Sequence, residues 1–196
     1  MRPVMTALLC LFVLSACGGE QSSSPIPTEG VVRLSEQFTG EFDLVDKNGA
    51  SVRDEDFEGK VMLVYFGFTS CPDVCPGDIN VMSAAMNELG DEADAVTPVF
   101  ISVDPERDTP ETIRDYFSFD ERLIPLTGSV EAAKAAREGF KVFAQKRPLP
   151  ESALEYTVEH QQAFFITDRA GQPQIAVMGG SNPQDLAALL RREIEK

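Results

Sequence analysis

The sequence predicts an α/β domain, a central mixed sheet flanked by helices, with a hairpin extension on its N-terminal side. Two apolar runs, residues 61–68 and 96–103, have strand length and are rich in β-branched and aromatic residues, as strands buried on both faces must be. Helical spacing follows each of them. Two further apolar runs, 163–167 and 174–178, flank the turn Asp168-Arg169-Ala170-Gly171 and read as an antiparallel hairpin.

In chain order, the first segment is not fold. Residues 4–14 are almost wholly apolar behind Arg2, too short a run for a spanning helix of about 20 residues, and end in Leu14-Ser15-Ala16-Cys17. Small residues directly before a cysteine resemble the bacterial lipobox. Residues 1–16 are therefore expected to be a lipoprotein signal peptide, with lipidation of Cys17 after cleavage. Residues 17–37, with Gly18-Gly19 and Ser22-Ser23-Ser24-Pro25, are a flexible tether, and 38–196 are the domain. The location this implies is the bacterial periplasm, at a membrane, through the lipid anchor.

Cleavage would take one Arg from 17 basic side chains and no acid, leaving 16 against 32 acidic ones. A surface so acidic excludes nucleic acid and offers nothing to anionic lipid headgroups.

Within the domain, Phe42-Asp43-Leu44-Val45 enters the turn Asp46-Lys47-Asn48-Gly49 as the N-terminal hairpin. Residues 61–68 form the central strand. From Pro76, Ile79, Met82, Met86 and Leu89 keep helical spacing until Gly90; Met82 and Met86 are core positions. The second buried strand leads to a helix capped by Asp108 or Thr109, with Pro110 in its first turn, to about Phe119. A short strand over 123–126, a helix over 130–138, an irregular connection over 141–157, the hairpin, and a last helix opened by Asn182-Pro183 complete the chain. This is the element order of a thioredoxin-like fold.

Chemistry concentrates in three side chains. Cys71 and Cys75 follow the central strand in Gly67-Phe68-Thr69-Ser70-Cys71-Pro72-Asp73-Val74-Cys75-Pro76. Proline disfavours helical geometry in the residue before it, so Cys75 is expected as the helix N-cap, where backbone N–H groups favour a thiolate. His160, the single histidine, precedes the strand 163–167, which in such a sheet neighbours the central strand. Two thiolates and an imidazole suit copper, as Cu(I) or Cu(II), or zinc. A structural zinc wants a fourth protein ligand, and only Asp73 or water is at hand to supply it, which favours copper. The plainer alternative is a Cys71–Cys75 disulfide with a surface histidine, and a redox-active pair is open as well.

The motif around the cysteines, together with Ile101-Ser102-Val103-Asp104-Pro105-Glu106-Arg107-Asp108-Thr109-Pro110 and Tyr156-Thr157-Val158-Glu159-His160, resembles the SCO/SenC family of copper-binding proteins for cytochrome c oxidase assembly. The resemblance implies copper binding by Cys71, Cys75 and His160. It also implies a metallochaperone role toward the dinuclear copper centre of the oxidase's copper-binding subunit, or a thiol–disulfide oxidoreductase role that keeps that subunit's cysteines reduced, with Cys71 and Cys75 as the catalytic pair. A disulfide between them belongs to the oxidised apo form. A periplasmic copper donor or a thiol reductant would be a further partner. The family pattern has Asp before the histidine and Ser after it, where this chain has Glu159 and Gln161. Asp104, Arg107 and Asp108 fit the marker loop, although turn and capping chemistry explains them without function.

Overall fold

A computed structural model describes residues 30–72 and 74–196. Residues 1–16, Cys17, most of the tether and Asp73 lie outside it. No helix among the described residues is long and apolar enough to cross a membrane.

An eight-stranded mixed sheet organises the domain in the order β1-β10-β9-β4-β5-β6-β2-β3. Its centre is β4 (Val61–Gly67), every residue of which is buried. β5 (Val96–Ser102) and β6 (Ile124–Thr127) continue it in parallel, Val61 opposite Val96 and Gly67 opposite Ser102. On its other side β9 (Ala163–Thr167) runs antiparallel to β4, with Tyr65 opposite Phe164, and β10 (Pro173–Met178) runs antiparallel to β9. The hairpin of β2 (Asp43–Asp46) and β3 (Ser51–Arg53) joins at β6. Its turn is held by Asp46, whose Oδ1 accepts from the Asn48 and Ala50 amides, with Gly49 at φ 79°.

Alternating side chains of the buried strands feed two aromatic clusters, one on each face. Phe66 and Phe165 meet Phe140, which closes α3 (Val130–Gly139). Tyr65 meets both Phe100 and Phe164, and Phe100 meets Phe117, which closes α2 (Pro110–Tyr116). On this second face Tyr65 also reaches α1 (Val74–Leu89). α1 buries Ile79, Met82, Met86 and Leu89, as their spacing predicts, and packs against α4 (Pro183–Ile194). Thr109 caps α2 and Asn182 caps α4, each accepting from the backbone three residues on.

Four expectations change. The segment 141–157 is not irregular: β7 (Ala144–Pro148) and β8 (Tyr156–His160) form a separate two-stranded antiparallel ribbon, Ala144 opposite His160 and Pro148 opposite Tyr156. Ala-Gln-Lys-Arg-Pro carries no apolar alternation because almost all of β7 faces solvent. Val31–Arg33, left in the tether by the sequence reading, form β1 along β10. α2 ends at Tyr116, where Phe117 turns into the core. α1 begins at Val74, so Cys75 is inside its first turn and is not its N-cap.

Candidate metal centre

The cysteine loop leaves β4 at Gly67 and turns into α1. Its first half is fastened from below by Asp108, a fully buried carboxylate that accepts from the Thr69 amide and hydroxyl and from Ser102 Oγ. Three donors on one buried carboxylate fix the loop to the end of β5. Burial still outweighs them and raises the Asp108 carboxyl above its ordinary range. Asp108 thus anchors the loop and does not cap α2. Cys71 donates its amide to the Phe68 carbonyl, which completes a tight turn.

Cys75 points inward from α1 and is fully buried, whereas Cys71 is partly exposed. The thiols are not joined as a disulfide. They interact with each other, and hydrogen bonding to Cys71, followed by burial, pushes the Cys75 thiol far above its usual range. The helix start therefore does not make a thiolate of Cys75: its sulfur keeps a proton that a bound cation would have to displace.

His160 ends β8 and hangs over this sulfur, its Nε2 3.4 Å from Cys75 Sγ. Nδ1 lies 3.1 Å from the Gln161 carbonyl. A carbonyl can only accept, so Nδ1 carries the hydrogen in the neutral ring and the lone pair of Nε2 faces the sulfur. The ring packs edge-on against Tyr65 and Phe68, centroids 6.3 and 5.9 Å away. The two departures from the family pattern leave this ring alone. Gln161 orients it through the main chain, and Glu159 turns outward to Arg147 at 2.7 Å.

The ribbon that carries His160 is tied down through Tyr156. Its hydroxyl donates to Asp104 Oδ1 at 2.8 Å, and Asp104 is fully buried and ion-paired with Arg107. The Arg107 guanidinium lies 3.9 Å from the Tyr156 ring centroid and donates to the Tyr156 carbonyl at 3.1 Å; Lys146 lies 4.5 Å from the same centroid. Asp104 and Arg107 are thus more than turn residues, since they clamp the ribbon at the rim where the cysteines sit.

Among the described residues no group of three His, Cys, Asp or Glu side chains stands ready as a metal cage. The chain brings together a close sulfur–nitrogen pair, Cys75 and His160, with the Cys71 thiol hydrogen-bonded to that of Cys75. Two soft sulfurs and one imidazole with its lone pair turned inward are donors that fit copper better than hard, oxygen-seeking cations.

Sequence reasoning missed two side chains beside this pair. Tyr65 donates to Asp78 Oδ2 at 2.8 Å, and both are buried under Cys75. A signal existed. A tyrosine inside a run of buried apolar residues demands a polar partner, and Asp78 is an acid on the apolar stripe of α1 formed by Cys75, Ile79, Met82 and Met86.

Comparison with known proteins agrees with this architecture. The chain is 33% identical over 171 residues to an SCO2-like protein of Rickettsia conorii, covering 85% of this chain and 83% of that one. It is 39% identical over 155 residues to protein sco1 of Schizosaccharomyces pombe, spanning 77% of this chain but only 59% of that protein. The structure of Bradyrhizobium japonicum ScoI with copper bound superimposes with a TM-score of 0.73 at 37% identity, covering 80% of this chain and 99% of that one. The sequence profile of the SCO1/SenC family matches residues 31–195, nearly the whole described span, and the chain belongs to that family.

Proposed function

We propose that this protein is a copper carrier that binds one ion through Cys71, Cys75 and His160 and passes it to the copper-binding subunit of cytochrome c oxidase, for its dinuclear copper centre. The observation that carries the reading is the approach of His160 Nε2 to Cys75 Sγ, with the ring's other nitrogen held by a carbonyl. Copper in a structural relative and membership of the family support it. The lipobox sequence supports anchorage through Cys17 at a periplasmic membrane surface, which would hold the carrier near a membrane-bound oxidase. Bound copper would accept electron density from both sulfurs. The chain's own part is to hold the imidazole in its metal-ready tautomer and to keep Cys75 out of bulk water.

Adding Cu(II) to the reduced protein is expected to give one bound ion per chain and a visible thiolate-to-copper charge-transfer band. His160→Ala, Cys71→Ser and Cys75→Ser should each lose it. A wild type without the band, or an unchanged band in His160→Ala, overturns the reading.

The hydrogen bond between the two free thiols favours a second reading, thiol–disulfide exchange with the oxidase subunit's cysteines. Cys71, the more exposed of the two, would attack, and Cys75 would resolve the mixed disulfide. A periplasmic copper donor would load the same sulfurs, and a thiol reductant would restore them. Reductase activity fully retained in His160→Ala but lost in both serine variants would favour this second role over the first.

A further inference from the structure

Beside the ribbon that ends in His160 lies a cavity of about 130 Å³, formed by the loop after β5, by α3 and by β7. Val103, Pro105, Val130, Ala133 and Val158 give it apolar walls. Val130, Ala133 and Arg137 reach it from α3 at i, i+3 and i+7, one face of that helix. Arg137 is the charge that this lining leaves over. Its Nη1 donates to the Ala144 carbonyl at 3.3 Å, but its Nε is buried without a hydrogen-bond partner among the described residues. The acids nearby are engaged elsewhere: Asp104 pairs with Arg107, Glu106 with Lys146, and Glu138, next to Arg137 on the helix, with Lys134 at 3.5 Å. Burial therefore works against the guanidinium's charge and pulls its pKa below the usual arginine range, with the Glu138 charge opposing.

We propose that this cavity is a carboxylate-binding site, in which the Arg137 Nε–H donates to the carboxylate and the apolar walls take up a short aliphatic stem. A monoanion matches the one uncompensated charge. A hydrogen bond from a guanidinium to a carboxylate is among the strong ones, and a buried donor with no partner gains most from it. The cavity is well under the roughly 300 Å³ at which small-molecule pockets begin, so it admits one short side chain or a small free acid and no cofactor. The chain's net charge of −15 supplies no long-range attraction for an anion, which leaves selection to the cavity itself. Through Arg137 the occupant is tied to Ala144, the residue opposite His160 in the ribbon, so one guanidinium would join α3, ligand and ribbon. An Arg137 that served packing alone would bind nothing.

The test is a heteronuclear NMR titration of the reduced, metal-free protein with sodium propionate at constant ionic strength, following the Arg137 Nε–H and the Ala144 amide. Both signals are expected to shift and to saturate at one site per chain. Propionamide, of the same shape without the charge, should move neither. Arg137→Gln removes the donor, and Val130→Glu sets a fixed carboxylate at the rim; each should abolish the shift of the Ala144 amide. Should Arg137→Gln fail to fold, Val130→Glu decides, since Val130 is 50% exposed. N-acetylglutamate α-amide, titrated alongside, offers the carboxylate as a protein would. Tighter binding than propionate assigns the site to a partner's acidic side chain, and otherwise it takes a free acid. No saturable shift with either acid, equal shifts with propionamide, or a shift that survives in a folded variant overturns the proposal. None of these readouts involves copper, so the carrier reading stands or falls separately.

Discussion

The Tyr156 hydroxyl donates to the buried carboxylate of Asp104 at 2.8 Å, and this bond fastens the ribbon that ends in His160 to the loop after β5. Tyr156→Phe keeps the ring beneath Arg107 and Lys146 and removes only that donor. Leaving a buried acceptor short of a partner costs about 1–3 kcal/mol. Urea unfolding should show a lower midpoint with an unchanged slope, and the Cu(II) titration a weaker affinity, because the ribbon holding the imidazole has lost a tether.

Gly67→Ala should damage stability and site together. The new methyl would stand 2.9 Å from both Phe100 Cε2 and Tyr65 Cε1, rigid rings within a filled core, and 3.3 Å from Cys75 Sγ. Overpacking of this kind costs about 1–3 kcal/mol. Denaturant unfolding measures the loss, and a broadened or shifted charge-transfer band would report the displaced sulfur.

Glu159→Gln, directly beside His160, should do almost nothing. Its carboxylate and Arg147 form an exposed pair, worth at most about 1 kcal/mol and commonly less. Copper titration of the variant should overlay that of wild type; a clear loss of affinity would show that Glu159 reaches the imidazole after all.

Asp120 supplies a pH signature distant from the cysteines. Hydrogen bonding from Arg122 lowers its carboxyl to about 2 from an ordinary 3.8, and Asp120 also accepts from Ser83 of α1. A carboxyl whose pKa falls on folding stabilises the native state above its unfolded value, and that contribution disappears as pH drops through the folded one. Asp120→Asn should therefore be less stable than wild type by about 1 kcal/mol near neutrality, the pair being solvent-screened. The difference should close between about pH 4 and pH 2 in unfolding curves taken across that range.

Most of the sheet was readable because its strands are buried. Val61–Gly67 and Val96–Ser102 carry no charged residue and are dominated by buried apolar side chains, and Thr109 and Asn182 announce their helices through short side chains that satisfy free amides. The nearness of His160 to Cys75 was readable as well, since an antiparallel neighbour of β4 begins just after the histidine. The ribbon was not, because Gln145, Lys146 and Arg147 face solvent, and exposed strands leave no hydrophobic period in the sequence. The upward push on the Cys75 thiol was hidden for another reason: it comes from the hydrogen bond to Cys71 and then from burial under distant segments, and helix-terminus arguments count neither. Tyr65 and Asp78 escaped notice because each resembles its surroundings, one an aromatic among aromatics, the other an acid on a helix.

The carbonyl that fixes the His160 ring belongs to the main chain, and every residue but the ring itself could be exchanged there without deleting it. Position 161 is consequently free to drift in side-chain identity while the imidazole stays turned the same way. A donor specified by backbone survives substitutions that would silence one specified by a serine hydroxyl or an aspartate.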